Sequence, residues 1–134
     1  MSGQLVAGIG FRRGTDADEI AALITRALGA VGAARADLVA IATAADRATE
    51  PSIRQAAAQY GLAPCPVEAA ALEACDAKIV TRSARIERLR GVGSLAEAAA
   101  LAAAGPESRL ALPRIASAGA TCALAIPQHN ARPA

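Results

Sequence analysis

The sequence predicts an α/β fold: a three-layer α/β/α sandwich on a mixed, mainly parallel sheet of about five strands, closed by a C-terminal β-hairpin. Three observations carry this. Short apolar runs alternate with segments of helical period through the first half of the chain, the pattern of parallel βαβ units. Nearly every change of element coincides with glycine, proline or a capping pattern. Near the C-terminus two apolar runs are separated only by the tight connection Ala116–Gly119, the signature of a hairpin.

Leu5–Ile9 is an apolar run ending at glycine and reads as a buried strand, with Gly10–Thr15 as the turn behind it. Thr15 precedes Asp16, Ala17 and Asp18 in a capping-box pattern. A helix is expected over about 16–30, with Ile20, Leu23, Ile24, Ala27 and Leu28 on one face and Gly29 and Gly32 ending it. Leu38–Thr43 is the second strand and Ala44–Glu50 a polar loop. Pro51 suits a first helical position, and the helix Pro51–Tyr60 closes at Gly61. Ala63–Val67 is a third strand, pushed to a sheet edge by Pro64 and Pro66. Val67–Ala74 and Ser83–Leu89 read as short helices, and Gly91-Val92-Gly93 breaks the second. Ser94 with Glu97 forms another capping box and opens a helix to Ala104, closed by Gly105-Pro106. Arg109–Ile115 and Ala120–Ile126 are the hairpin strands. One domain is expected over 1–134, with its core over about 5–127 and a polar tail at 128–134 that frays.

Composition narrows the function. Hydrophobic residues are 54% of the 134, yet only Phe11 and Tyr60 are aromatic, so Ala, Val, Ile and Leu must build the core. The 39 alanines favour helix and let helices pack closely. Fourteen basic residues against 12 acidic ones give a net charge of +2, too balanced for nucleic acid, and no aromatic-plus-basic stacking surface is visible. Thirteen of the basic residues are arginine, with Lys78 the only lysine. Arginine suits bidentate capture of carboxylates, although a GC-rich genome gives the same bias. Cys65, Cys75 and Cys122 have no CxxC spacing, which argues against a zinc or thioredoxin-like site. Three unpaired thiols suit a reducing cytoplasm. Residues 1–10 do not form a signal peptide, and no apolar run is long enough for an ordinary membrane-spanning helix, so no membrane partner is expected. His129, the only histidine, sits in the tail. Neither a metal site, a bound cofactor nor a Ser/His/Asp triad is expected.

Three loops can carry chemistry. The first is Gly8-Ile9-Gly10-Phe11-Arg12-Arg13-Gly14-Thr15, a strand-to-helix turn where helix amides and two arginines can hold an anion. Its GxGxxxG spacing departs from the dinucleotide fingerprint, and Asp16, Asp18 and Glu19 oppose an anion there. A tight turn with solvated arginines explains it equally well. The second is Asp46-Arg47-Ala48-Thr49-Glu50, after the second strand, where α/β folds place ligands. Asp46 or Glu50 can serve as a general base and Arg47 can hold a carboxylate; alternatively, Thr49 simply caps the next helix. The third is Gly91-Val92-Gly93-Ser94, which can bind an anion or can be a plain N-cap. Arg82, Arg85 and Arg88 recur every three residues and share one side of a helix, either a solvated face or a binding stripe. Arg114 interrupts an apolar strand and is expected at a strand end beside a pocket.

Taken in order, Val6–Thr15, the loop with Arg47 and Glu50, Gly91–Ala99, and Arg114, Ser117 and Gly119-Ala120-Thr121 form a recognisable set. The chain resembles the CobE/CbiG C-terminal domain family of cobalamin-biosynthesis proteins over about residues 5–127, and specifically its stand-alone CobE type. Arg47 and Arg114 stand where lysine is common in that family, which keeps charge but changes hydrogen-bond geometry. The resemblance implies a role in the corrin pathway. CbiG proteins open a lactone ring of a cobalt-precorrin with release of acetaldehyde, and they carry an additional N-terminal region that this chain is expected to lack. For the stand-alone type of the aerobic route the implied roles are binding a polycarboxylate corrinoid or precorrin, assisting other cobalamin-pathway enzymes, or a hydrolytic step with Glu50 or Asp46 as base. Such ligands surround a large apolar ring with carboxylates. The residues expected to bind one are Gly10, Arg12, Arg13, Gly14, Thr15, Arg47, Gly91, Gly93, Ser94, Arg114, Ser117 and Thr121. A nucleotide-binding module using Gly8–Gly14 is the remaining alternative.

Overall fold

The structure, a computed structural model, describes residues 4–127. Its elements are β1 (Leu5–Phe11), α1 (Ala17–Ala30), β2 (Leu38–Ala44), α2 (Pro51–Ala58), β3 (Pro64–Val67), α3 (Ala69–Ala74), α4 (Ala84–Arg90), α5 (Leu95–Ala104), β4 (Arg109–Ala116) and β5 (Ala120–Ile126). The strands form one sheet in the order β3-β2-β1-β5-β4. β1 and β3 each pair parallel with β2, while β5 pairs antiparallel with β1 and with β4. Four strands thus run one way and β5 alone runs the other, the expected mixed sheet with its hairpin. Proline-bearing β3 lies at an edge, as its missing N–H donors require.

Alternation along β1 sets the two faces. Leu5, Ala7, Ile9 and Phe11 enter one cluster with Ile20, Leu23 and Ile24 of α1 and Ile53 of α2. Full burial of each such isoleucine or leucine contributes about 1.5–3 kcal/mol. The intervening β1 residues face α5, on the far side of the sheet. A Cβ on Gly8 would lie 2.0 Å from the Ala96 carbonyl and 2.5 Å from the Ala100 nitrogen. The helix backbone therefore rests directly on the strand, which Ala96, Ala99 and Ala100 permit. Because α5 is covered from Leu95 through Leu101, it is apolar nearly all round. Val67, Leu72, Val92, Leu95 and Ala98 complete the second core, so α1 and α2 form one outer layer and α3–α5 the other.

Capping departs from the sequence expectation. Asp16, not Thr15, is the N-cap of α1, and no side chain caps it. Thr15 instead donates to the Gly119 carbonyl at 3.1 Å. Glu50, not Thr49, is the N-cap of α2, with Pro51 at the first turn as expected. Ser94 does cap α5, accepting from the Glu97 N–H, but the Glu97 side chain turns elsewhere, so the reciprocal half of that box is absent. Arg82 lies before Ser83, the N-cap of α4, and so stands outside the helix that carries Arg85 and Arg88. No helix among the described residues is long and apolar enough to cross a membrane. The tail 128–134, with His129, lies outside the described residues.

Candidate functional site

Because β1, β2, β3 and β4 run the same way, their carboxyl ends share one edge of the sheet, where open α/β folds place ligands. Three groups of side chains follow one another along it.

At the β1 and β2 ends sits an arginine cluster. The Arg47 guanidinium stacks on the Phe11 ring at 4.3 Å from its centroid. Its Nε donates to Glu50 Oε2 at 2.5 Å, and Arg13 reaches the same oxygen at 3.5 Å. Arg47 has only 13% of its side chain exposed, against 80% for Arg13. The Nη2 atom of Arg47 is shielded from solvent and has no hydrogen-bond acceptor among the described residues. Arg12 is exposed, and its backbone N–H donates to the Gly119 carbonyl.

Beside the cluster runs a polar seam between the β1–α1 turn and the hairpin. Glu19 Oε2 accepts from the Ser117 hydroxyl at 2.5 Å and the Gly119 N–H at 2.7 Å, and these bonds hold its carboxyl below the usual range. Thr121 donates to the Gly10 carbonyl at 3.4 Å. A Cβ on Gly10 would meet that threonine hydroxyl at 2.7 Å, whereas Gly14 turns with φ +86°. Gly10, Thr15, Ser117 and Thr121 are thus brought together, bonded to one another's strands.

On the other side of the β2 loop lies a cleft of about 450 Å³. Val67 and Leu72 form apolar lining, and Leu89 and Arg90 close it from α4. Asp46, Glu68 and Glu73 also line it, so three carboxylates face one arginine. Asp46 pairs with Arg90 at 2.8 Å, and that hydrogen bond holds its carboxyl below the usual range. Gly91, at the rim with φ +77°, provides the left-handed stop of α4. Gly93 donates its N–H to Asp76 at 3.0 Å, and Arg82 binds the same carboxylate. With Ser94 spent on its cap, the Gly91–Ser94 turn has its polar groups engaged internally. A second hollow, of about 370 Å³ along the outer side of α2, has Arg54 as its single charged lining residue.

Glu97 supports this edge from within. It is buried without a cation, yet Oε1 accepts from the Val80 and Thr81 N–H groups at 2.7 and 3.1 Å, and Oε2 from the Arg114 N–H at 2.9 Å. Burial alone would push its carboxyl up; these donors outweigh it and hold the group below its ordinary value. Arg114 is not at the end of β4. Pro113 and Arg114 form a bulge between the Leu112–Leu124 and Ile115–Cys122 pairs, which frees the Arg114 N–H for Glu97. Sequence reading missed Glu97 in this role, and it missed Glu19 and Arg90; their partners lie 16 to 100 residues away and leave no local signal. Among the described residues no group of three or more His, Cys, Asp or Glu could hold a metal.

Comparison with known proteins then identifies the chain. The family described as "Cobalamin synthesis G C-terminus" matches residues 5–125. The chain belongs to this family. The chain is 41% identical over 123 residues to "Protein CobE" of Sinorhizobium sp, covering 92% of this chain and 80% of that protein. A crystal structure of CobE, a protein from the cobalamin (vitamin B12) biosynthetic pathway, superposes with a TM-score of 0.87 at 35% identity, covering 94% of this chain and 92% of the other. The cobalamin biosynthesis protein chiG from Agrobacterium tumefaciens str. C58 gives 0.73 at 35% identity, with 93% and 99% covered. These relatives make this a cobalamin-biosynthesis protein of the CobE/CbiG type, with the mixed α/β fold the sequence implied.

Proposed function

We propose that the chain binds a polycarboxylate corrinoid or precorrin intermediate of the aerobic route at the carboxyl edge of its sheet. The observation that carries this reading is the arginine cluster: Arg13 and Arg47 both reach the carboxylate of Glu50, and the exposed Arg12 precedes Arg13 in the same turn. Arginines present paired donors suited to acetate and propionate side chains. The neighbouring acidic cleft repels those groups, so the charge pattern fixes how the ligand lies across the edge. Gly14, Thr15, Ser117 and Thr121 line the approach through the seam. Gly91, Gly93, Ser94 and Arg114 act at a distance, by shaping the α4–α5 side.

Hydrolysis of a precorrin lactone with Glu50 or Asp46 as base has less support. Asp46 is tied to Arg90 with its carboxyl lowered, which makes it a weaker base. A nucleotide role for Gly8–Gly14 also has less support, since Gly8 is occupied by the backbone of α5. The test is a titration of the purified chain with a metal-free corrinoid pathway acid, followed by absorbance. The expected result is a dissociation constant below about 100 μM, near 5.5 kcal/mol. No spectral change at that concentration removes the reading.

A further inference from the structure

We infer that Arg47 is the cation that captures a ligand carboxylate, and that Glu50 is its positioning residue rather than a base. The inference rests on the binding role proposed above and adds to it which donor does the work.

Three features of Arg47 point this way. The Phe11 ring fixes the plane of the guanidinium from one face. Glu50 takes Nε with a single oxygen, so the contact is one hydrogen bond and not a two-bond fork. Nη2, beside Nε on the same guanidinium, has no acceptor and is shut off from water. A charged donor left in that state costs free energy unless an acceptor arrives. A carboxylate supplies it, since its two oxygens match the spacing of guanidinium nitrogens. Lysine, with one nitrogen, offers no such fork. Arg13 is exposed and holds the same Glu50 oxygen only loosely, at 3.5 Å, so it is free to turn toward an arriving carboxylate.

The role of Glu50 follows from the same contacts. A carboxylate merely adjacent to an anion site repels the ligand, and removing it tightens binding. A carboxylate that aims the guanidinium does the opposite. Glutamine keeps an acceptor for Nε; alanine keeps none.

The experiment uses the full chain labelled with ¹⁵N and two probes. One is uroporphyrin, a metal-free tetrapyrrole with acetate and propionate groups. The other is tricarballylate, a small tricarboxylate without a macrocycle. Binding is read by absorbance and by the Arg47 Nε–Hε resonance, assigned by its loss in Arg47→Ala. We expect both probes to shift that resonance. We expect Arg47→Ala to weaken binding about tenfold or more, with partial recovery on adding methylguanidinium. Glu50→Gln should stay within about threefold of the parent and Glu50→Ala should fall about tenfold, with unfolding curves confirming that each variant is folded. Tighter binding by Glu50→Ala overturns the positioning role. Uroporphyrin binding that leaves the Arg47 resonance and the Arg47→Ala affinity unchanged overturns the inference while the binding role stands. Tricarballylate shifting Arg47 without any uroporphyrin binding keeps the inference and removes the macrocycle. Binding of neither probe, by absorbance or by the Arg47 resonance, overturns both.

Discussion

Asp46 and Arg47 are adjacent in sequence and belong to opposite sides of the molecule. Arg47 turns toward Phe11 and Glu50, on the α1–α2 side, where arginines predominate. Asp46 turns toward Arg90, on the α3–α4 side, where carboxylates predominate. The turn after β2, in which the Arg47 N–H bonds the Ala44 carbonyl and the Glu50 N–H bonds the Arg47 carbonyl, sends these two side chains to different partners, so one loop divides two electrostatic regions. The two sides are also held differently. The arginine side is fixed by an aromatic stack and a short ion pair. On the acidic side α4 has no fully buried residue, and the segment leading to it is held by hydrogen bonds from the Val80 and Thr81 N–H groups to Glu97 and from Arg82 to Asp76.

The largest test of that difference is Glu97→Ala. It strands three backbone N–H groups, so a loss of about 3 kcal/mol or more is expected in urea unfolding. The arginine side makes no contact with Glu97, so ligand affinity of the folded fraction should survive; its collapse would show the sides are coupled. The acid dependence follows from the same residue. The Glu97 carboxyl is lowered from 4.5, so its stabilisation is full above that value and is lost as pH falls through the lower folded one. Glu97→Gln should show a flatter acid limb in unfolding against pH, and an unchanged limb would assign acid sensitivity to other groups.

Arg47→Ala comes next, with about 1.5–3 kcal/mol of ligand binding lost if a charged hydrogen bond goes. Gly14→Ala forces a side chain into φ +86° with open space around it, so only backbone strain acts, about 1 kcal/mol in thermal or urea unfolding. Asp46→Asn should be smallest. Its pair with Arg90 leaves Asp46 66% exposed, and such pairs are worth about 0.5 kcal/mol. Ligand binding should hold or improve as the cleft loses one negative charge. Weaker binding by Asp46→Asn would contradict the division of the two sides.

How much of this was legible in the sequence depended on range. Strands and helices marked by local pattern fell within a few residues of their places, because apolar period, Pro51 and the glycines act locally. The hairpin and the edge position of β3 followed from the same signals. Side-chain partners were less legible. Thr15 and Glu97 carry capping-box chemistry, but their tertiary partners, the Gly119 carbonyl and the Val80, Thr81 and Arg114 amides, outcompeted the local bond. The Phe11–Arg47 stack and the Asp46–Arg90 pair depend on sheet order and on where α4 crosses, neither of which a short window contains. Gly8 looked like a ligand turn, and only the position of α5 shows that it makes room for a helix.

The central claim is that the arginine side of this edge holds a corrin-pathway acid. It is tested most directly by purifying the chain, and its Arg47→Ala variant, from cells that accumulate corrinoid intermediates, and identifying any bound pigment by absorbance and mass. The account predicts a carboxylate-bearing corrinoid with the parent chain and little or none with the variant. A colourless parent chain, or equal pigment on both, would contradict it.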